Sequence, residues 1–65
     1  MSVKVPAEVL DGIDAVRESG LTNMLDRRAV ARIALELGYP AACDWVEENR
    51  ADYGRGFFEG FEAEG

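Results

Sequence analysis

Arg27, Arg28 and Arg32 form the one basic concentration in an otherwise acidic chain. They stand at the head of an apolar, helix-spaced segment, where free backbone N–H groups and the helix dipole already favour anions. Such an edge could bind a phosphate-bearing small molecule, RNA or DNA. It could equally be consumed inside the fold, with Arg32 pairing to Glu36 at i,i+4 and Arg28 to Glu47 or Glu48. Thirteen Asp and Glu surround six Arg, so pairing is the expected state.

Trp45, Asn49 and Tyr53 recur at a spacing that puts them on one helical face. The aromatic rings read first as core. Asn49 is a polar residue in an apolar lane, and a buried amide needs partners. At a two-fold interface one such Asn can fix register; in a pocket it could read a ligand, with Trp45 and Tyr53 as walls. Asp44, Glu48 and Asp52 share another face and could hold a hard cation loosely, but a solvated face is the expected reading. Glu47 and Glu48 point about 100° apart on a helix. Cys43 is the only cysteine and there is no histidine. That excludes the usual tetrahedral zinc site and the Cys-His and Ser-His catalytic pairs. Cys43 reads as a small buried apolar residue. We expect no enzyme, no metal and no cofactor.

The elements that must position these groups are helical. Pro6 suits a first helical turn, Glu8 favours the dipole there, and Val9, Leu10, Ile13 and Val16 recur at helical spacing. Gly20 is a natural left-handed C-cap. These signals predict a helix over about 6–19. Asp26 is a credible N-cap for a second helix over 26–37. That helix is apolar nearly all round, with a polar stripe of Arg28, Arg32 and Glu36, so a central position is expected. Gly38-Tyr39-Pro40 makes a corner, and a third helix follows over 41–60. Gly54, Gly56 and Gly60 weaken its second half, so a kink or split near residue 52 is expected. Residues 62–65 read as a disordered tail. No strand is expected. The fold class is all-α: a single compact three-helix domain with a helix-turn-helix-like corner. Asp44, Glu47 and Glu48 would face phosphates if the third helix read DNA, which argues against nucleic-acid binding.

Between the first two helices lies Thr22-Asn23-Met24-Leu25-Asp26. It reads as a connector in which Thr22 and Asn23 bond local backbone, Met24 and Leu25 plug the core, and Asp26 caps. The alternative is a recognition loop using Thr22 and Asn23 toward a partner. This segment, with Ala29-Val30, Ile33-Ala34 and Trp45-Val46-Glu47-Glu48-Asn49-Arg50 followed by Tyr53, resembles a family of very small, uncharacterised proteins encoded mainly by phages and proviruses. Its signature is a TNM-aromatic-D segment followed by an apolar helix and an aromatic-led W-x-E-E-N-R-x-x-Y helix. Leu25 stands where that signature has an aromatic residue. The resemblance covers about residues 3 to 61 and implies no particular activity.

The chain has 65 residues and a net charge of −6. So short a chain buries only about 60% of its unfolded surface, and with one cysteine it has no internal disulfide. A homodimer is the expected remaining staple. Acid excess with a single Lys, Lys4, fits the cytoplasm of an extreme halophile, so the chain reads as a haloarchaeal member of that family; an ordinary acidic protein from a GC-rich genome, where Arg codons displace Lys, is the alternative. No apolar run approaches the roughly 18 residues of a membrane span, and Met1-Ser2-Val3-Lys4 lacks a signal-peptide core. A cytoplasmic protein is expected. Beyond self-association as a homodimer, a chain of this size can present one interface and little else. The reading is therefore a small accessory protein of phage or provirus type that binds a protein partner stoichiometrically. Thr22, Asn23, Arg27, Arg28, Arg32 and Asn49 are the expected contacts, with Trp45 and Tyr53 as aromatic anchors. The alternative is a nucleic-acid regulator, or a binder of a phosphorylated small molecule, using Arg27, Arg28 and Arg32.

Overall fold

Pro6 opens α1 (Ala7–Ser19): its carbonyl accepts from the N–H groups of Val9 (3.0 Å) and Leu10 (3.1 Å). Val9, Gly12, Ile13 and Val16 form the buried face of α1, and Gly20 ends it in the left-handed region at φ 66°. Asp26 begins α2 (Arg27–Glu36), its carboxylate accepting from the Ala29 N–H at 3.2 Å. α2 buries Val30, Ala31, Ile33 and Ala34. Gly38 turns the chain at φ 94°, and Pro40 stands in the first turn of α3 (Pro40–Glu48). α3 buries Ala42, Cys43 and Val46; α4 (Arg50–Glu59) buries Tyr53 and Gly56.

The computed structural model describes residues 2–64. In chain order its helices lie between β1 (Val3–Val5) and β2 (Phe61–Ala63), which pair as a two-stranded parallel sheet in register Val3 with Phe61 and Val5 with Ala63. A parallel pair needs a long crossover, and here all four helices form it. The ladder runs on at both ends, with Val3 N–H donating to the Gly60 carbonyl at 2.9 Å and Glu64 N–H to the Val5 carbonyl at 2.8 Å. Val3 and Val5 point into the core while Lys4 faces out toward Glu62. The largest fully buried side chains are Ile13, Val5, Val16, Val30 and Val46.

Two close approaches set the packing. A Cβ at Gly12 would collide with Ala42 and Tyr39, so α1 crosses the start of α3 at near-backbone contact. A Cβ at Gly56 would occupy the ring of Phe61. That ring meets Trp45 edge-on (centroids 5.9 Å apart, planes at 83°) and Tyr53 tilted (5.7 Å). Aromatic pairs in such arrangements add to the area they bury.

The expectation of three helices and no strand is corrected in three places. The strands are only three residues long, too short for alternation to register, and they pair the two ends of the chain. The split expected near residue 52 in the third helix falls instead at Asn49 (φ −122°, ψ 56°), before the glycines that were expected to cause it. There the Asn49 amide donates to the Trp45 carbonyl at 3.0 Å and its backbone N–H to the same oxygen at 2.9 Å, closing α3. Gly54 and Gly56 are carried inside α4. The tail expected to be disordered instead supplies β2 and the bond from Glu64; Gly65 lies outside the described residues. α2 is less enclosed than its composition suggests, since Leu35 and Leu37 stand on its exposed side. Among the described residues no helix is long and apolar enough to cross a membrane.

Gly12→Ala tests the α1–α3 crossing. Alanine is the better helix former by about 1 kcal/mol, but overpacking typically costs about 1–3 kcal/mol. The urea midpoint should fall. A midpoint that holds or rises would show that α1 and α3 do not meet at Gly12.

Candidate functional site

The connector between α1 and α2 is held by its own backbone. Asn23 Oδ1 accepts from the Leu25 N–H at 2.9 Å, and the Asn23 carbonyl accepts from the Asp26 N–H at 2.9 Å. This turn faces Met24 toward the core and leaves Leu25 outside, 63% exposed. Leu25 therefore does not plug the core as expected. Asn23 serves the turn, as the connector reading anticipates, and Thr22 is half-buried beside it.

Tyr53 ties α4 to this connector. Its ring is buried, and its hydroxyl donates to the Met24 carbonyl at 2.6 Å. An open groove of about 350 Å³ results. One wall is Leu25, Asp26, Arg27 and Arg28 at the head of α2; the other is Arg50, Tyr53, Gly54, Phe57 and Phe58 of α4. Phe58 is 83% exposed and Phe57 38%, and their rings meet edge-on at 5.3 Å. Adjacent residues point about 100° apart on a helix, so both rings cannot face one core. That was the readable signal for Phe58, and with Leu25, Arg50, Gly54 and Phe57 it was missed as a site residue.

The arginines divide by task. Arg27 Nη1 donates to the carbonyls of Val46 (3.1 Å) and Glu47 (3.5 Å), satisfying the last turn of α3; a cation is favoured there by the helix dipole. Arg17 pairs with Asp14, and Arg55 with Asp52 and Glu59. Arg28, Arg32 and Arg50 have no carboxylate partner among the described residues. The expected pairs of Arg32 with Glu36 and of Arg28 with Glu47 or Glu48 are not made; it is Arg27 that sits over the end of α3, on its backbone carbonyls. Arg28 and Arg50 flank the groove; Arg28 and Arg32 flank a neighbouring depression of about 550 Å³ that also touches Leu35, Cys43 and Glu47.

The other expected contacts are placed elsewhere. Trp45 is half-buried against Phe61, and Asn49 closes α3. The fold does not gather Trp45, Asn49 and Tyr53 into one pocket, because the helix they were expected to share ends at Asn49. Cys43 is buried and its thiol donates to Glu47 Oε1 at 3.3 Å. Burial foremost, then that bond and the nearby charges of Glu47 and Asp44, pushes the thiol above its ordinary value, which disfavours the nucleophilic thiolate. Burial likewise raises the Tyr53 phenol, opposed by the charge of Arg17. Among the described residues no three His, Cys, Asp or Glu gather for a metal ion.

The chain belongs to a family described as a domain of unknown function (DUF5049), which matches residues 6–60. The match runs from Pro6 to Gly60 and so includes all four helices and both walls of the groove. No curated protein and no solved structure matches the chain significantly.

Two measurements check the site's framework. Tyr53→Phe removes the bond to Met24 and should lower unfolding stability by about 1 kcal/mol; no change would mean that the bond does not hold α4 in place. Raised folded-state values mean that the neutral thiol and phenol stabilise the fold fully below their unfolded values, about 8.5 and 10. That contribution is lost as the pH rises through the higher folded values. The urea midpoint should therefore decline across the alkaline range, and Cys43→Ala should flatten the lower part of the decline. A midpoint constant through that range would contradict the burial of both groups.

Proposed function

We propose that this chain is a small non-enzymatic accessory protein of phage or provirus type that binds a protein partner stoichiometrically through the groove between α2 and α4. The observation that carries the reading is the meeting of Leu25, Phe57 and Phe58, all exposed, with Arg28 and Arg50 in one groove. Aromatic residues and Arg dominate the energetics of protein interfaces. A contiguous exposed apolar patch rimmed by polar groups is a common mark of a contact surface. The contact set shifts accordingly from the sequence reading: Arg28 remains, Leu25, Arg50, Phe57 and Phe58 join it, and Thr22, Asn23, Arg27 and Tyr53 support it from behind. The acid excess supports a cytoplasmic, halophilic setting as part of the same proposal, and the short chain supports a homodimer that leaves the groove free.

One observation favours a second reading. Among the described residues Arg28 and Arg32 have no carboxylate partner and share one edge, which would suit a nucleic acid or a phosphorylated small molecule. The two readings differ in which side chains they need.

The discriminating experiment is a tagged pull-down from lysate of the source organism at its native salt, comparing the wild type with Phe58→Glu, with Arg28→Glu/Arg32→Glu and with the control Glu36→Gln. Mass spectrometry would identify everything that co-elutes. A stoichiometric protein kept by the control and lost in Phe58→Glu is the expected result. Nucleic acid or a nucleotide kept by Phe58→Glu and lost with the two arginines would replace the first reading with the second.

A further inference from the structure

We propose that the groove takes an acidic segment of its protein partner that carries one bulky apolar residue. The inference rests on the reading of the groove as a protein-binding site and adds the chemistry of what enters it. Three features converge. The first is charge. Arg28 and Arg50 face the groove without carboxylate partners among the described residues, in a chain that carries thirteen acids. Guanidinium groups left in this state favour carboxylates, which they can take in a two-pronged bond. The one acid lining the groove, Asp26, is engaged as the cap of α2. The net charge of −6 would oppose an acidic segment at long range. Salt screens that field within about 8 Å at physiological strength, and more closely at higher strength, so the local arginines decide.

The second feature is Gly54. It lies inside α4, where glycine costs about 1 kcal/mol relative to alanine. Gly12 and Gly56 are explained by neighbours that would meet a Cβ; at Gly54 nothing among the described residues lies within 4 Å, so no contact among them requires a glycine there. One turn beyond Arg50 and one turn before Phe57 and Phe58, it leaves the groove floor bare and lets another chain approach the helix closely. The third feature is the apolar seat itself: Phe57 and Phe58 edge-on to each other, with Leu25 opposite. A phosphate or a sugar would leave those surfaces wet. Single-stranded nucleic acid could stack on the rings, but it needs a basic track along its backbone. Outside this edge, Arg17 and Arg55 are already paired with acids.

The test selects short random peptides on a display library against the immobilised intact protein, repeats the selection on Gly54→Leu and on Arg28→Glu/Arg50→Glu, and titrates the best peptide and a single-stranded oligothymidylate in solution. The enriched peptides should carry a net negative charge and a Leu, Phe or Trp. Affinity for the best of them should fall about tenfold or more in each variant. Gly54→Leu should keep its helical circular dichroism and match or exceed the wild-type melting temperature, which separates a blocked groove from a broken fold. Enrichment without acidic bias, affinity untouched by Gly54→Leu, no enrichment at all, or binding of the oligothymidylate alone would each overturn the proposal. Its failure is separable from that of the broader reading. A natural partner lost in Phe58→Glu beside peptides of the wrong charge sinks only this inference. Acidic peptides bound in the groove beside a natural partner kept by Phe58→Glu sink the other.

Discussion

The bond from the Tyr53 hydroxyl to the Met24 carbonyl is the contact on which the rest of the surface depends. It joins residues 29 apart in sequence and fixes α4 against the turn that leads into α2. A single bond of this kind contributes only about 1 kcal/mol net, so it does not act alone. Phe61 lies in the space left by the missing side chain of Gly56, and the β1–β2 pair holds Phe61 there. Phe61 thus packs on the buried face of α4 at Gly56, and Tyr53, on that same face, ties α4 to the connector. The groove is the space that this double attachment leaves between α4 and the head of α2.

Size explains why that space is apolar. The fully buried centre is built from β-branched residues of three helices and one strand, with Val5, Ile13, Val16, Val30 and Val46 sealed inside. A chain of this length has little interior, and α4 spends its inward positions on Tyr53 and on the glycine that admits Phe61. Phe57 and Phe58 remain outside, where they cannot be explained by packing. The same economy governs the arginines. Arg27 closes α3, Arg17 and Arg55 pair with nearby acids, and Arg28, Arg32 and Arg50 are left facing solvent around the head of α2.

Local signals made α1 and α2 legible in the sequence almost to the residue: Pro6, Gly20 and Asp26 act over one turn, and the apolar spacing between them is regular. A split of the third helix was legible from its glycines, but its place at Asn49 was not. Asn49 was singled out as a polar residue in an apolar lane, but its amide is satisfied by ending a helix, a geometry that spacing alone cannot distinguish from a continuous face. β1 and β2 escaped because each strand is short and its partner lies at the other end of the chain. In the Thr22–Asp26 segment the Asp26 cap and the local bonding of Asn23 were legible, yet which of Met24 and Leu25 turns inward depends on the Asn23 turn. Of the groove lining, Arg27, Arg28 and Tyr53 were among the expected contacts. Leu25 was read as a core plug and Phe57 and Phe58 were not singled out, because bulk and apolarity say nothing about which side of a helix is covered.

The central claim is that a partner binds in the groove between α2 and α4. The most direct measurement is a two-dimensional amide NMR titration of the isotope-labelled intact chain with its captured partner. The account predicts that the largest shifts fall on the amides of Leu25 to Arg28 and of Gly54 to Phe58, with α1 and the β1–β2 pair nearly unmoved. Shifts concentrated on α1 or the terminal strands, with the groove amides unchanged, would contradict it.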